Sequence, residues 1–295
     1  MKIIGTGLSG LVGSRIVELL TDYQFTDYSL ATGVSILDPI QLDQNTEKQG
    51  DFDAFLHLAA FTDTAQAWAQ KGDKNGLCYR LNVEGTQNIV NLCKKYQKHL
   101  FAFSTDFVFD GNKDSYYCET DEPHPIEWYG ETKHIAERII LDSGISATII
   151  RIAFPYRARF NDKKDLVRKV IDALRSNTLN PMFSDQITTL TFVDDIANAM
   201  KFLINSKTQG IFHVVGSTSQ SPFEMCQKIA QIWGFDSKLI REGKLEEYIK
   251  TLPEGSRPWQ KNLSLSNEKI TALGVEMKTL QDGLTAMKLQ LDTLV

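Results

Sequence analysis

Lys2-Ile3-Ile4-Gly5-Thr6-Gly7-Leu8-Ser9-Gly10-Leu11-Val12-Gly13 decides the fold, together with the Ser14-Arg15-Ile16-Val17-Glu18-Leu19-Leu20 that follows it. A short apolar run leads into a glycine turn, and the turn leads into apolar residues at helical spacing. Strand, glycine turn, helix is the context that a dinucleotide-binding loop requires. Glycines let the backbone turn sharply and come close to a pyrophosphate. The start of the helix then offers free N–H groups and a partial positive charge to the phosphates. The spacing is Gly7-x-x-Gly10-x-x-Gly13, so Gly7, Leu8, Ser9, Gly10, Leu11, Val12 and Gly13 are the candidate phosphate-side contacts.

The rest of the chain has room for a large fold around this loop. Its 295 residues are 42% hydrophobic and 23% charged, with a formal net charge of -5. This is ordinary globular composition with length for a second lobe. The acidic balance and the lack of a long basic run speak against nucleic acid or an anionic membrane as partner. Cys78, Cys93, Cys118 and Cys226 are widely spaced, with no CxxC and no histidine cluster. Neither a zinc site nor a disulfide framework is expected, and a reducing cytoplasm suits the chain. No apolar run reaches membrane-spanning length, and the early strand and glycine loop do not read as a signal peptide.

A dinucleotide site usually has an Asp or Glu after its second strand, on the adenosine ribose. Asp22, Asp27 and Asp38 are candidates but none is well placed, and Tyr28-Ser29-Leu30-Ala31-Thr32 could equally carry hydroxyls for a 2′-phosphate, so the residues leave NAD or NADP open. Asp38, before Pro39 and a polar helix, reads as a loop residue near the adenine. Asp53-Ala54-Phe55-Leu56-His57-Leu58-Ala59-Ala60 reads as a buried strand. Its small end, Leu58, Ala59 and Ala60, leaves room for a flat ligand to cross the sheet edge. His57 inside it reads as a satisfied core histidine. Asn82, in Asn82-Val83-Glu84-Gly85-Thr86, interrupts an apolar helix stripe and needs buried partners. It either holds a water beside Lys133 or satisfies a helix distortion.

The chemistry is carried by Ser104-Thr105-Asp106-Phe107-Val108-Phe109-Asp110-Gly111 and by Tyr129-Gly130-Glu131-Thr132-Lys133. The first is a strand end with hydroxyls, a carboxylate and a turn at Asp110-Gly111. In the second, Tyr129 and Lys133 are four residues apart and share one helix face. An ammonium beside a phenol is expected to lower the tyrosine pKa from ~10 toward working pH. Tyr129 is then a candidate proton donor to a carbonyl, with Ser104 or Thr105 hydrogen-bonding the same oxygen.

These stretches, in this order, resemble the extended short-chain dehydrogenase/reductases. The run from Ser104 to Gly111, Ser184-Asp185-Gln186, and Arg257-Pro258 followed by Asn262-Leu263-Ser264-Leu265 are similar to one branch, the dTDP-4-dehydrorhamnose reductases of dTDP-rhamnose biosynthesis. The resemblance implies an α/β, Rossmann-type doubly wound parallel sheet with a smaller α/β C-terminal substrate lobe. It implies NAD(P)H-dependent reduction of the 4-keto group of a nucleotide-linked deoxysugar, in the cytoplasm. Thr105, Tyr129 and Lys133 would be catalytic, with Lys133 also on the nicotinamide ribose. Ser104, Asn82, Asp38 and Phe154 would join the cofactor contacts, and Thr105, Asp106, Phe107 and Arg257 the substrate contacts. Arg257 has a planar fork suited to a diphosphate. A homodimer is left open.

There are departures from the branch. Small residues usually stand where this chain has His57. Ser-Trp usually follows Arg151, where this chain has Ile152-Ala153-Phe154-Pro155-Tyr156. The loop Arg157-Ala158-Arg159-Phe160-Asn161-Asp162 lacks the usual glycine and Asn-Phe. These positions bear on the sugar more than on the reaction. Dehydration of the sugar is disfavoured because Phe107 follows Asp106 and an aromatic ring cannot exchange protons. Two alternatives remain: a nucleotide-sugar epimerase of the same superfamily, and a non-catalytic NADP-binding regulatory subunit.

The last third reads as helices at about Leu166–Arg175 and Pro222–Trp233, with Asp194 or Asp195 as an N-cap before another. The expected domains are residues 1–155 as the NAD(P)-binding domain, with 191–215 returning to it. Residues 156–190 and 216–295 form the substrate lobe, with substrate in the cleft between the two.

Overall fold

A computed structural model of the chain describes residues 1–293. The chain divides into two compact units. The first comprises Met1–Phe109, Glu122–Arg151 and Ala197–Phe212; the second comprises Asp110–Asp121, Ile152–Ile196 and His213 onward. These bounds differ from the expected ones chiefly in giving Asp110–Asp121 to the second unit. Residues 294 and 295, included in the expected substrate lobe, lie outside the described residues.

The first unit is built on a six-stranded sheet. Its strands are β1 (Lys2–Thr6), β2 (Gln24–Tyr28), β3 (Ala54–His57), β4 (His99–Thr105), β5 (Ala147–Ile152) and β6 (Gly210–His213). They lie in the order β6-β5-β4-β3-β1-β2. The pairs β1–β2, β1–β3 and β3–β4 are parallel. Every residue of β3 and β4 is buried, as expected for strands covered on both faces. The helices around them are α1 (Gly13–Leu19), α2 (Pro39–Gln49), α3 (Gly85–Tyr96), α4 (Trp128–Asp142) and α5 (Val193–Ser206). In α3, Ile89, Val90, Leu92 and Cys93 turn inward onto Ile4, Phe55, Leu100 and Ile149. Each such side chain contributes ~1.5–3 kcal/mol by leaving water.

Strand order reverses at β1: the chain steps outward to β2, then crosses back to β3. In open α/β sheets a ligand binds beyond the strand ends at such a switch point. The register pairs Thr6 with His57 and His57 with Ala102. The three candidate segments, after Thr6, after His57 and at Ser104-Thr105, therefore all leave the same edge of the sheet.

The second unit has its own core. Val167, Val170, Ile171 and Leu174 lie at helical spacing on Leu166–Arg175. They pack with Met225, Cys226 and Ile229 of Pro222–Trp233 and with Leu284 and Met287 of Leu280–Asp292. Pro222–Trp233 begins with a capping box between Ser221 and Glu224. Both expected helices are therefore present over the expected residues. The turn at Asp110-Gly111 also forms: Gly111 has φ +82, and a Cβ there would meet Gln260 Cβ at 2.7 Å. Asp194 and Asp195 lie in the first turn of α5, not at its cap. Asp195 is buried and accepts hydrogen bonds from Lys278 N at 2.8 Å and Lys278 Nζ at 2.7 Å.

Candidate active site

The glycine turn closes against the end of β3. Gly7 has φ +70, and a Cβ on it would lie 2.7 Å from Ala59 N. A Cβ on Gly13 would lie 2.3 Å from Gly7 O, so α1 can pack on the turn only without a side chain there. Leu8 and Val12 are buried, Leu8 folded over Gly5, while Ser9 is exposed. Leu8 and Val12 can therefore face a ligand through backbone only. No side chain caps the start of α1. Within the turn, Gly10 N donates to Gly7 O at 3.1 Å and Ser14 N to Gly10 O at 2.9 Å, so the backbone itself holds the turn's shape.

Of the three ribose candidates, Asp22 is an exposed loop residue with its side chain 81% exposed. Asp38 is exposed, and its Oδ1 caps α2 by accepting from Ile40 N at 3.1 Å and Gln41 N at 2.9 Å. Asp27 is the one at the strand end. It pairs in register with Gly5 and, together with Leu8, Ser9 and Ser14, lines a cavity beside the glycine turn. Its Oδ2 accepts from Ser29 Oγ at 2.7 Å, while its buried Oδ1 has no hydrogen-bond partner. The sequence could not rank the three, because only the strand register separates them.

Behind the turn, β3 is tied to its neighbours through His57. Thr6 Oγ1 lies 2.7 Å from His57 Nδ1, and His57 Nε2 lies 3.1 Å from Thr86 Oγ1. Thr86 gives its only proton to Asn82 O at 2.7 Å. It must therefore accept from Nε2–H, which leaves Nδ1 to accept from Thr6. Burial, and then the Lys133 ammonium, lower the His57 pKa to about 3. His57 is a neutral core histidine. Asn82 sits in a π-helical stretch, Arg80–Glu84. Its Oδ1 accepts from Phe61 N at 2.8 Å, and its Nδ2 donates to Thr132 Oγ1 at 3.0 Å and Phe61 O at 3.2 Å. The Asn82 side chain, carried on this helix distortion, pins the Phe61 loop to Thr132 of α4.

At the end of β4, Ser104, Thr105 and Asp106 are all buried. Ser104 Oγ has no hydrogen-bond partner and lines a small cavity with His57 and Lys133. Thr105 Oγ1 donates to Asp106 Oδ1 at 3.0 Å and accepts from Phe107 N at 3.3 Å. Asp106 Oδ2 is buried without a partner. Burial foremost, with Glu127 adding repulsion, raises the Asp106 pKa to about 7.

Two residues that sequence reasoning missed set the start of α4. Glu127 is its N-cap, its carboxylate accepting from Tyr129 N and Gly130 N. Gly130 lets the helix approach the β4 turn, since a Cβ on it would stand 2.1 Å from Phe107 O. A Glu directly before the Trp128-Tyr129 helix start, able to accept from the first N–H groups, was the available signal for the first. Nothing local signalled the second. Tyr129 is thereby placed in the first turn, edge-on to Phe107 with ring centroids 5.8 Å apart. Its hydroxyl faces Thr105. Lys133 and Glu137 follow on the same face, both buried. Glu137 holds Arg151 in a two-pronged ion pair, at 2.9 Å from Nε and 2.7 Å from a terminal nitrogen.

One expectation is overturned. The Tyr129 pKa is raised, not lowered, because burial of the phenol outweighs its hydrogen bond with Thr105, and Asp106, Glu127 and Cys78 add to the rise. Lys133 Nζ donates to Phe103 O at 2.8 Å, and burial lowers its own pKa to about 8. The phenol is held as a proton donor, with the proton kept on it. Phe154 and Arg257 belong to the second unit. Phe154 has a strained φ of +40, and the Arg257 guanidinium lies 4.7 Å from the Trp259 ring centroid.

A glycine turn at the switch point of a doubly wound sheet, with Thr105 and Tyr129 at the same edge, defines a Rossmann-type nucleotide-binding α/β protein. A family model described as the RmlD substrate binding domain matches residues 1–292, and the chain belongs to that family. It is 28% identical over 298 residues to the probable low-salt glycan biosynthesis reductase Agl14 of Haloferax volcanii, covering 96% of each protein. It is 23% identical over 288 residues to the dTDP-4-dehydrorhamnose reductase of Mycolicibacterium smegmatis, covering 97% of this chain and 86% of that one. The crystal structure of dTDP-4-dehydrorhamnose reductase from Bacillus anthracis with NADP has the same fold, with a TM-score of 0.87 at 23% identity over 98% of this chain and 99% of that one.

Proposed function

We propose that the protein reduces the 4-keto group of a nucleotide-linked deoxysugar with NADH or NADPH. The observation that carries the reading is the facing of Thr105 and the protonated Tyr129 at the sheet edge onto which the glycine turn opens. The residues suit a dinucleotide: an uncapped helix start for phosphates, and the orphaned Asp27 Oδ1 for a ribose hydroxyl. Bound there, the nicotinamide would supply a hydride. Gly7 to Gly13 would hold the pyrophosphate through backbone N–H groups, and Leu58 to Ala60 would pass under the ring. Asp27, as an anion, favours the cofactor without a 2′-phosphate. Tyr129 delivers its proton to the reduced oxygen, and Thr105 hydrogen-bonds that oxygen beside it. Lys133 restrains Tyr129 from one turn away and reaches for ribose hydroxyls.

In this reading the second unit would be the substrate lobe, Arg257 would pair with the diphosphate, and Phe154 would contact the cofactor. Asp106 and Phe107 complete the sugar end. In this reading the protein works in the cytoplasm, which the four free thiols, three of them buried, suit. The test is NADH or NADPH oxidation with a dTDP-4-keto-6-deoxy sugar. Turnover with release of oxidised cofactor is expected. Dinucleotide binding with no turnover of dTDP-, GDP- or UDP-linked keto-sugars would replace it with a binding role. Interconversion of sugars with cofactor retained would make it an epimerase.

A further inference from the structure

Thr105 has one hydroxyl proton and two uses for it. The proposed reaction needs that proton aimed at the carbonyl oxygen. The structure aims it at Asp106 Oδ1, 3.0 Å away. A threonine hydroxyl can accept two hydrogen bonds but donate only one. While Asp106 accepts, Thr105 has no proton to turn toward the substrate, and a carbonyl oxygen is left with Tyr129 as its one hydroxyl donor.

We propose that Asp106 is a positioning residue that sets the direction of the Thr105 hydroxyl, holding its proton when ionised and releasing it toward the substrate when protonated. The inference rests on the reductase reading above. The proton balance is simple. Asp106 takes one proton from solvent, on Oδ1, the oxygen that faces an acceptor; Oδ2 has no partner. The new O–H donates to Thr105 Oγ1, which already accepts from Phe107 N at 3.3 Å; the second lone pair is free for it once Tyr129, hydrogen-bonded to Thr105 in the free protein, turns its O–H to the substrate oxygen. Thr105's own O–H swings outward. No bond between heavier atoms forms or breaks.

The groups around Asp106 make the protonated form accessible. Burial takes it out of water, and the Glu127 carboxylate at the cap of α4 opposes a second negative charge. The hydrogen bond from Thr105 and the backbone N–H groups of Asp106 and Phe107 pull the other way. The balance is a pKa of about 7. Tyr129 faces the same cluster and stays neutral through this range, its pKa raised. Lys133, farther along α4, titrates at about 8 and its hydrogen bond is to Phe103 O. Cys78, behind Tyr129, has a raised pKa and is a neutral thiol. The sign follows: the donor form is present at low pH and is lost as pH rises through the Asp106 midpoint.

The experiment is the pH profile of kcat/KM with NADH and a dTDP-4-keto-6-deoxy sugar, for the wild type, Asp106→Asn, Thr105→Val and the double variant. The wild-type ratio between pH 6 and pH 8 is expected to be about twentyfold in favour of pH 6, about tenfold of it from Asp106 and about twofold from Lys133. In Asp106→Asn, whose amide donates to Thr105 at every pH, the ratio falls to about two whatever the absolute rate. In Thr105→Val, adding Asp106→Asn changes nothing further. A residual limb from Lys133, about one unit higher, stays in all of them. A limb near pH 7 that survives Asp106→Asn overturns the proposal, as does a uniform rate loss with an unchanged profile. A second measurement is independent of turnover: the carboxyl ¹³C titration of Asp106 in the wild-type protein. A midpoint near 7 that moves up in Thr105→Val supports the coupling, because Thr105 stabilises the anion. A midpoint in the ordinary carboxylate range near 4 overturns it. If no keto-sugar is turned over, the reductase reading fails, and this titration still decides the state of Asp106.

Discussion

Two polar clusters stand at the ends of neighbouring strands and are finished differently. At the end of β3, His57 lies in a relay in which each hydrogen has an acceptor, from Ala59 N through Thr6, His57 and Thr86 to Asn82 O. At the end of β4, Ser104 Oγ and Asp106 Oδ2 are buried without partners. Burying an unpaired polar group costs ~1–3 kcal/mol. A fold that closes one cluster fully and leaves its neighbour open keeps that cost where a ligand can offset it. The contrast teaches which buried polar residues are scaffold and which are chemistry, and residue type alone would have ranked His57 first.

The largest expected effect falls on the open cluster. Tyr129→Phe removes the phenol proton and leaves the ring against Phe107. Turnover of a keto-sugar should drop on the order of 10³-fold, with dinucleotide affinity measured by fluorescence titration within about threefold of wild type. A variant keeping most of its rate would remove Tyr129 as donor and erase the contrast.

Next is the part of α4 that supports the open cluster. Glu137 and Arg151 are an ion pair with side chains 3% and 1% exposed, and the Arg151 guanidinium lies 5.0 Å from the Phe109 ring centroid. Glu137→Ala strands a buried cation and should cost about 3–5 kcal/mol in urea unfolding. Glu137→Met with Arg151→Met, keeping volume and removing both charges, should recover most of that loss. If Glu137→Ala alone costs under about 1 kcal/mol, the pair is not part of the framework.

How much of this was legible in the sequence follows the range of the interactions. The glycine turn and the Tyr129/Lys133 face are local: three glycines fix a backbone path, and spacing of four fixes a shared face. Both were readable. Asp27 could be picked over Asp22 and Asp38 only from strand register. The direction of the Tyr129 pKa depended on how deeply β4, Glu127 and Cys78 enclose it, and spacing carries no depth. Gly130 read as an ordinary residue of the Tyr-to-Lys segment, because its need is set by Phe107 O, which lies on another element.

The smallest expected effect tests the closed cluster, through pH. His57 is neutral in the folded protein, with its pKa lowered to about 3, against ~6.5 in an unfolded chain. The unfolded state therefore binds the extra proton first. The stability His57 contributes is whole above pH 6.5 and is lost as pH falls from there toward 3. Each pH unit inside that window is worth at most ~1.4 kcal/mol. His57→Gln cannot take up this proton. Its unfolding free energy should lie below wild type at pH 7, and the gap should narrow by about 2.5 kcal/mol by pH 4.5. His99, lowered to about 4 by burial, titrates in both proteins and cancels in the difference. A gap constant from pH 7 to 4.5 would mean that His57 already accepts a proton in the folded state. The relay would then have a free acceptor, and the two strand ends would be alike.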